Sequence, residues 1–169
     1  VVIDTPVGVK VSLDDPVFLQ ALHLDAGVGR TILDVTPDAI VHTTEALILP
    51  EHAGLAGGGA VASATGMTIE GRVEMQGLAL LVPADERITV ESGGRITVED
   101  GLFEGEILNF GDIVLETLSA GGDGLSRMEC FDLLNNATDA GQLLVYGDAI
   151  IDFHAGAELS GAADFVGST

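Results

Sequence analysis

Three aspartates in the second half of the chain stand next to glycines and are candidate ligands for a cation. Asp112 and Asp148 each follow an aromatic residue and a glycine, and Asp123 lies in Gly121-Gly122-Asp123-Gly124. Calcium takes many oxygen ligands from carboxylates and carbonyls. If both aromatic-Gly-Asp corners stack at one edge, Asp112 and Asp148 would share such a site, with Asp123 as a further candidate. The competing interpretation is structural, because glycine supplies a positive φ angle and aspartate caps amides at a turn.

The other reactive residue types do not form a catalytic pattern. Glu104 and Glu106 alternate with Gly105 and would share a strand face, which makes them a candidate acid pair for glycoside hydrolysis, but a solvated acidic face is the simpler explanation. The four histidines show neither an HxH nor an HExxH spacing. Cys130 is the only cysteine, and we interpret it as a small buried hydrophobic residue. The sequence therefore predicts no catalytic residue and no cofactor other than calcium.

The charge of the chain is strongly acidic. Its 169 residues include 27 Asp and Glu against 6 Lys and Arg, for a formal net charge of −21. Such a field repels phosphate backbones and anionic membranes, so we expect no nucleic-acid partner and no membrane insertion. The longest uncharged run, residues 53–69, is too short and too weakly apolar to cross a bilayer. We expect a soluble protein, and the sequence leaves open whether Val1 is the native N-terminus.

The elements that must position these residues contain an internal repeat. The segment 106–116 aligns with 142–152, and each copy is an apolar strand, an aromatic-Gly-Asp corner and a second apolar strand. Recurrence of this kind indicates that similar units stack on one another. We therefore predict that the stretches around Phe110 and Tyr146 are equivalent layers of one aliphatic stack.

A shorter repeat precedes the long one. Ile88-Thr89-Val90-Glu91 recurs as Ile96-Thr97-Val98-Glu99, and Ser92-Gly93-Gly94-Arg95 separates the two copies. Alternation places the Ile and Val side chains of both copies inside and the Thr and Glu side chains outside. The glycines fit either a hairpin turn or a corner between two strands of one coil.

The first part of the chain is less regular. The pattern of residues 1–66 predicts short strands separated by turns. The Gly-rich segment 54–66 within this part has the composition of a linker or a loop. We divide the chain into this irregular β-rich part, 1–66, and a β-repeat part, 67–169. A helix is possible in two segments. Phe18–Leu24 fits either a strand or one helical turn, and Ser126–Asn135 fits a short helix.

The fold class that follows is all-β. Abundant Val, Ile, Leu and Ala, together with 23 glycines, favour strands and tight corners over a bulky globular core. We favour a β-solenoid of stacked strands for the C-terminal part. A β-sandwich or jelly roll is the alternative, because a hairpin at Gly93-Gly94 would suit it.

Several segments between residues 88 and 161 share one pattern, in which an apolar strand, an asparagine, a glycine and a second apolar strand follow one another. They are Ile96-Thr97-Val98, residues 107–115, and Leu133-Leu134-Asn135-Asn136 leading into residues 141–151. This pattern resembles the repeats of secreted bacterial β-helical proteins, namely autotransporter passenger domains and filamentous-haemagglutinin-type adhesins. The resemblance implies a β-helical, extracellular protein with an adhesive role.

We therefore predict a non-enzymatic structural, adhesive or assembly module of a cell surface or a virus-like particle. Stacked rungs leave end edges that need caps or partners, so we expect protein partners and a homo-oligomer or larger assembly. Two alternatives stay open. One is a polysaccharide-acting enzyme on a β-scaffold, and the other is a calcium-dependent assembly module.

Overall fold

The protein is a β-solenoid, as a computed structural model of the chain shows. The model describes the backbone of residues 2–5, 8–26, 29–83, 85–99, 102–116, 127–135, 143–146, 150–159 and 163–166. It describes the side chains of residues 8–24, 29–74, 76–83, 85–97 and 106–114. Throughout the described residues the regular structure is strand, with no helix, and the strands stack in parallel. The predicted all-β solenoid class is confirmed.

Most of the strands are short, and tight turns separate them. In chain order the described strands are β1 (Val2–Thr5), β2 (Lys10–Leu13), β3 (Val17–Leu19), β4 (His23–Ala26), β5 (Thr31–Val35), β6 (Ile40–Thr43), β7 (Leu47–Leu49), β8 (Ala53–Gly57), β9 (Ala60–Ser63), β10 (Met67–Ile69), β11 (Arg72–Gln76), β12 (Ala79–Leu81), β13 (Arg87–Val90), β14 (Arg95–Glu99), β15 (Leu102–Asn109), β16 (Asp112–Glu116), β17 (Arg127–Asn135), β18 (Leu143–Tyr146), β19 (Ile150–Leu159) and β20 (Ala163–Val166).

The solenoid has three faces, and the chain passes from one to the next. Face 1 is the eight-stranded sheet β2-β5-β8-β11-β14-β16-β18-β20. Face 2 contains β3, β6, β9 and β12, and face 3 contains β7, β10 and β13. The long strand β15 pairs with β12 through its first residues and with β13 through its last, so it joins faces 2 and 3 into one sheet. Neighbouring coils lie about 4.8 Å apart, the usual spacing of paired strands.

Alternate residues of each strand point into the solenoid and form an aliphatic core. Strand β5 shows the pattern clearly, because its first, third and fifth residues are buried while the second and fourth are not. Each Leu or Ile that is fully buried contributes about 1.5–3 kcal/mol to folding. Residues that pair across coils fill the same inner position, and they form the columns Leu33-Leu55-Val73-Ile96-Ile113, Val41-Val61-Leu80 and Leu47-Met67-Ile88-Ile107.

Glycines at the corner between face 3 and face 1 allow successive coils to lie close together. A Cβ atom on Gly94 would lie 2.1 Å from the carbonyl oxygen of Ile69, and one on Gly111 would lie 2.3 Å from that of Glu91. Gly71 belongs to the same column, because residues 72, 95 and 112, which follow the three glycines, pair in register. At this corner a larger side chain would require the backbone of the next coil to move.

The strand register decides between the alternatives at Gly93-Gly94. Strand β13 lies in face 3 and β14 in face 1, so the glycines turn a corner within one coil and do not form a hairpin. Described neighbours pair in parallel throughout both sheets. The β-sandwich or jelly-roll alternative is therefore wrong, because those folds are built from antiparallel strands.

Both helical alternatives are also wrong. Phe18–Leu24 contributes to β3 and β4, and the segment 127–135 within the second candidate helix is strand β17. Strand β17 pairs with β15 on one side and β19 on the other, which satisfies its backbone groups in the sheet. Over such short runs an apolar spacing fits a helix and a strand alike, so tertiary pairing decides.

The Gly-rich segment 54–66 belongs to the sheets and is not a linker. Strand β8 pairs with β5 and β11, and β9 pairs with β6 and β12. The solenoid includes strands on both sides of residue 66, and all three of its faces continue across that position. Small residues in β8 and β9 thus occupy ordinary strand positions.

The first strands of the two copies of the long repeat lie on different faces. Residues 106–109 of β15 pair with β13 of face 3, whereas β18 pairs with β16 of face 1. The prediction that the stretches around Phe110 and Tyr146 are equivalent layers is therefore wrong in register, although both belong to one stack. The reason is that every face demands the same apolar alternation, so an alignment of two strand pairs cannot distinguish one face from another.

Candidate functional site

Of the three aspartates predicted to bind calcium, Asp112 is described, while Asp123 and Asp148 lie outside the described residues. Asp112 begins β16, and one of its carboxylate oxygens lies 3.8 Å from a guanidinium nitrogen of Arg95. Within the described part of the chain, no group of three or more His, Cys, Asp or Glu residues is placed to hold a metal ion. Calcium binding by the three aspartates stays a prediction.

The corner before Asp112 is organised by Asn109. This residue is fully buried, and its Oδ1 accepts a hydrogen bond from the Gly111 N–H at 3.1 Å. Gly111 is not among the glycines with a positive φ angle. The predicted reason for Gly111 is therefore wrong, because close packing against the neighbouring coil requires the glycine. The amide cap supplied by Asn109 was not predicted.

The acid pair considered for sugar hydrolysis is divided between two faces. Glu104 pairs with Leu81 of face 2, and Glu106 pairs with Arg87 of face 3. Arg87 Nε donates a hydrogen bond to Glu106 Oε1 at 2.9 Å. The prediction that the two glutamates share a strand face is wrong, because β15 passes from one face to the next between them. Cys130 lies in β17, in a part of the chain whose side chains are not described.

Strands β3, β6, β9 and β12 of face 2 present an outer surface without formal charge, and this surface ends at β15, where Glu104 pairs with Leu81. Buried and less buried residues alternate in β3, β6, β9 and β12, so the less buried ones point outward. None of these outward side chains is an aspartate, glutamate, lysine or arginine. We call this surface the uncharged face, and it consists of Phe18, Ile40, His42, Ala60, Ala62, Ala79 and Leu81.

The outer surface of the uncharged face is not flat. Phe18 is 77% exposed at its first strand, and Ile40 on the next strand is 44% exposed. The Phe18 ring contacts the ring of His42, with centroids 5.8 Å apart and planes tilted by 39°. On the next two strands of this face, β9 and β12, the outward residues 60, 62 and 79 are alanines. A raised aromatic end therefore adjoins a lower, alanine-lined region.

Exposed polar and acidic residues border the uncharged face. Asp14, Asp15 and Asp38 lie in the turns that lead from face 1 into face 2, and all three are exposed. On the opposite border, Gln20 Nε2 donates a hydrogen bond to Glu45 Oε1 at 2.6 Å. An apolar centre with a polar rim is the usual anatomy of a protein–protein interface.

Sequence patterns within single strands do not reveal the uncharged face. Its strands are only three or four residues long, so alternation within any one strand gives a weak signal. The available signal was the absence of charge in residues 60–63 and 79–81 of a chain in which 20% of residues are charged. That signal becomes informative only when the coil register stacks the segments on one side.

Comparison with known proteins gives no relative from which a function could be transferred. No protein-family model, curated protein or solved structure matches the chain. The resemblance to secreted β-helical repeat proteins therefore stays a prediction. Among the described residues no helix is long and apolar enough to span a membrane.

Proposed function

We propose that the chain is a non-enzymatic structural or adhesive module that assembles through the uncharged face, at a cell surface or on a virus-like particle. The observation that carries this proposal is the uncharged face itself, which presents seven outward residues without an acid on a chain of net charge −21. Large exposed apolar surfaces with polar borders mark interaction sites.

The charge distribution supports a second copy of the chain as the occupant. Two copies that each carry a net charge of −21 repel one another over most approaches. Contact through two uncharged faces brings no charged side chain of β3, β6, β9 or β12 into the interface, and it removes exposed apolar groups such as Phe18 and Ile40 from water. The uncharged face thus allows two copies to associate with little electrostatic repulsion at the contact and with burial of apolar side chains.

The relief of the face supports a twofold arrangement. In an isologous dimer the same surface serves both partners, so a raised region of one copy must meet a lower region of the other. A twofold axis through the middle of the face, parallel to its strands, would place Phe18 of each copy over β12 of its partner, and Ile40 over the alanines of β9. This contact is self-complementary, and it leaves the acidic border at the rim.

Sedimentation velocity over a wide concentration range in moderate salt tests the proposal. We expect the wild-type chain to self-associate and Ile40→Glu to weaken association at least tenfold. The reason is that an unpaired carboxylate buried in an apolar contact costs more than the roughly 1.4 kcal/mol that corresponds to a factor of ten.

Ile48→Glu is the matched control. Ile48 is 50% exposed but lies on face 3, so the same change adds the same charge away from the uncharged face. We expect this variant to associate nearly as well as wild type, and circular dichroism checks that both variants are folded. A wild-type chain that remains monomeric at every concentration would contradict the proposal, and so would equal weakening by the two substitutions.

A further inference from the structure

Four of the six basic residues of the chain gather at the edge where strands of face 1 begin. Lys10, Arg72 and Arg95 are the first residues of β2, β11 and β14, and Arg30 immediately precedes β5. The register places Lys10, residue 32, Gly54, Arg72 and Arg95 in one outward column. In so acidic a chain this edge is a local concentration of positive charge.

A small cavity lies within this edge, over Gly54. It has a volume of about 20 Å³, and Arg30, Ile32, Gly54, Arg72 and Glu74 are among its lining residues. Gly54 has no side chain to fill the space, and a Cβ placed on it would lie 3.6 Å from Cδ of Arg30 and 3.4 Å from Cγ1 of Ile32. We call this cavity the Gly54 notch.

Arg30 is held firmly beside the Gly54 notch. A Cβ on Gly8 would lie 2.3 Å from the backbone nitrogen and oxygen of Arg30, so the two backbones are in close contact. The N–H groups of the next two residues, Thr31 and Ile32, donate to the carbonyl oxygens of His52 and Val9 at 3.0 and 2.8 Å. The backbone at Arg30 and at the two residues after it is therefore fixed, and the Arg30 side chain extends along Gly54.

The guanidinium groups of Arg30 and Arg72 lack partners among the described residues, whereas their neighbours are paired. Lys10 lies 2.8 Å from Asp34, and Arg95 lies 3.8 Å from Asp112. No described hydrogen bond or ion pair involves the side chain of Arg30 or Arg72, and the Arg30 Nε is buried without an acceptor. A buried cationic donor without an acceptor is unfavourable, and a ligand oxygen would satisfy it.

We propose that Arg30 and Arg72 form a site for a single carboxylate group, bound in the Gly54 notch. Guanidinium groups match the planar geometry of a carboxylate through paired N–H donors. The cavity has room for about one water-sized atom group, which suits a carboxylate oxygen. The acidic field of the whole chain and the nearby Glu74 penalise each negative charge on a ligand, so a monoanion is preferred to a phosphate dianion.

Arginine side-chain NMR tests this site directly. The full ¹⁵N-labelled chain is titrated with sodium acetate, and with sodium chloride at the same ionic strength. We expect the Arg30 Nε–H signal to shift saturably with acetate and not with chloride. The Arg87 Nε–H already donates to Glu106 and serves as an internal control that should stay in place.

Two substitutions with opposite expected effects on acetate affinity distinguish a specific binding site from nonspecific electrostatic attraction of anions. Arg72→Gln should weaken acetate binding at least about tenfold, because it removes a charged donor, whereas Glu74→Gln should strengthen binding because it removes the only acid that lines the cavity. The proposal is overturned if acetate and chloride shift the Arg30 Nε–H signal equally, or if Arg72→Gln leaves the affinity for acetate unchanged.

Tighter binding of inorganic phosphate than of acetate would also overturn the assignment to a carboxylate. The test does not depend on self-association, because Gly54 lies on face 1.

Discussion

Single polar residues decide how the chain turns its corners. Asn109 is buried and accepts a hydrogen bond from the Gly111 N–H, so it closes a two-residue Asx turn just before face 1. Gly111 is itself buried. Removal of the asparagine amide would leave a buried donor without its partner, which is more costly than the loss of an exposed hydrogen bond.

Asn109→Ala should lower the free energy of unfolding by about 2 kcal/mol, because the buried Gly111 N–H loses its acceptor. Urea unfolding followed by circular dichroism measures the change. Gln20→Ala is the control, since Gln20 donates to Glu45 at an exposed site, and we expect it to cost less than about 0.5 kcal/mol. Equal effects of the two substitutions would show that burial of the corner is not what makes Asn109 important.

At the scale of the element, the corners restrict the choice of residue more than the strands do. A strand position tolerates any apolar side chain that fits its inner column, whereas the corner between faces 3 and 1 has no space for a Cβ at Gly94 or Gly111. The adjacent Gly93 differs, because the nearest atom to a Cβ there would be the Glu70 oxygen at 3.8 Å. Two consecutive glycines therefore have unlike roles.

Gly94→Ala should destabilise the protein by about 3 kcal/mol, since its methyl group would overlap the Ile69 carbonyl of the coil below. Gly93→Ala makes the same chemical change one residue earlier and should alter stability by no more than about 0.5 kcal/mol, with a gain expected from the stiffer unfolded chain. Thermal unfolding of both variants measures the difference. A comparable loss at Gly93 would contradict the described corner geometry.

At the scale of the whole molecule, the aliphatic core must overcome the repulsion of a net charge of −21. The described ion pairs, such as Lys10–Asp34, lie at exposed or half-exposed positions and add little stability. Acidic residues pair in register on successive coils, as Glu99 does with Glu116 and Glu104 with Glu129, and strands about 4.8 Å apart bring such like charges close enough to repel. Salt should therefore stabilise the fold.

An increase of sodium chloride from low concentration to 1 M should raise the melting temperature by about 5 °C, because screening shortens the range of the repulsion. Calorimetry at fixed pH measures this rise, and an unchanged or lower melting temperature would contradict it.

The same melting experiment in calcium chloride, at matched ionic strength, tests for calcium binding. A rise beyond that in sodium chloride would support a specific calcium site, because a ligand bound only to the native state adds stability.

The sequence by itself determined that this chain is all-β with an aliphatic interior, and it favoured a solenoid for residues 67–169. Alternation in Ile88–Val90 and Ile96–Val98, the abundance of glycine and the recurrence of short strands all carry that information locally. Only the tertiary structure decided which strands share a face, that the strands just before Phe110 and at Tyr146 lie on different faces, and that segment 54–66 belongs to the sheets. The physical reason is that every face requires the same alternation. The uncharged face and the Gly54 notch exist only as columns across coils, so the register between coils creates them and local pattern cannot predict them.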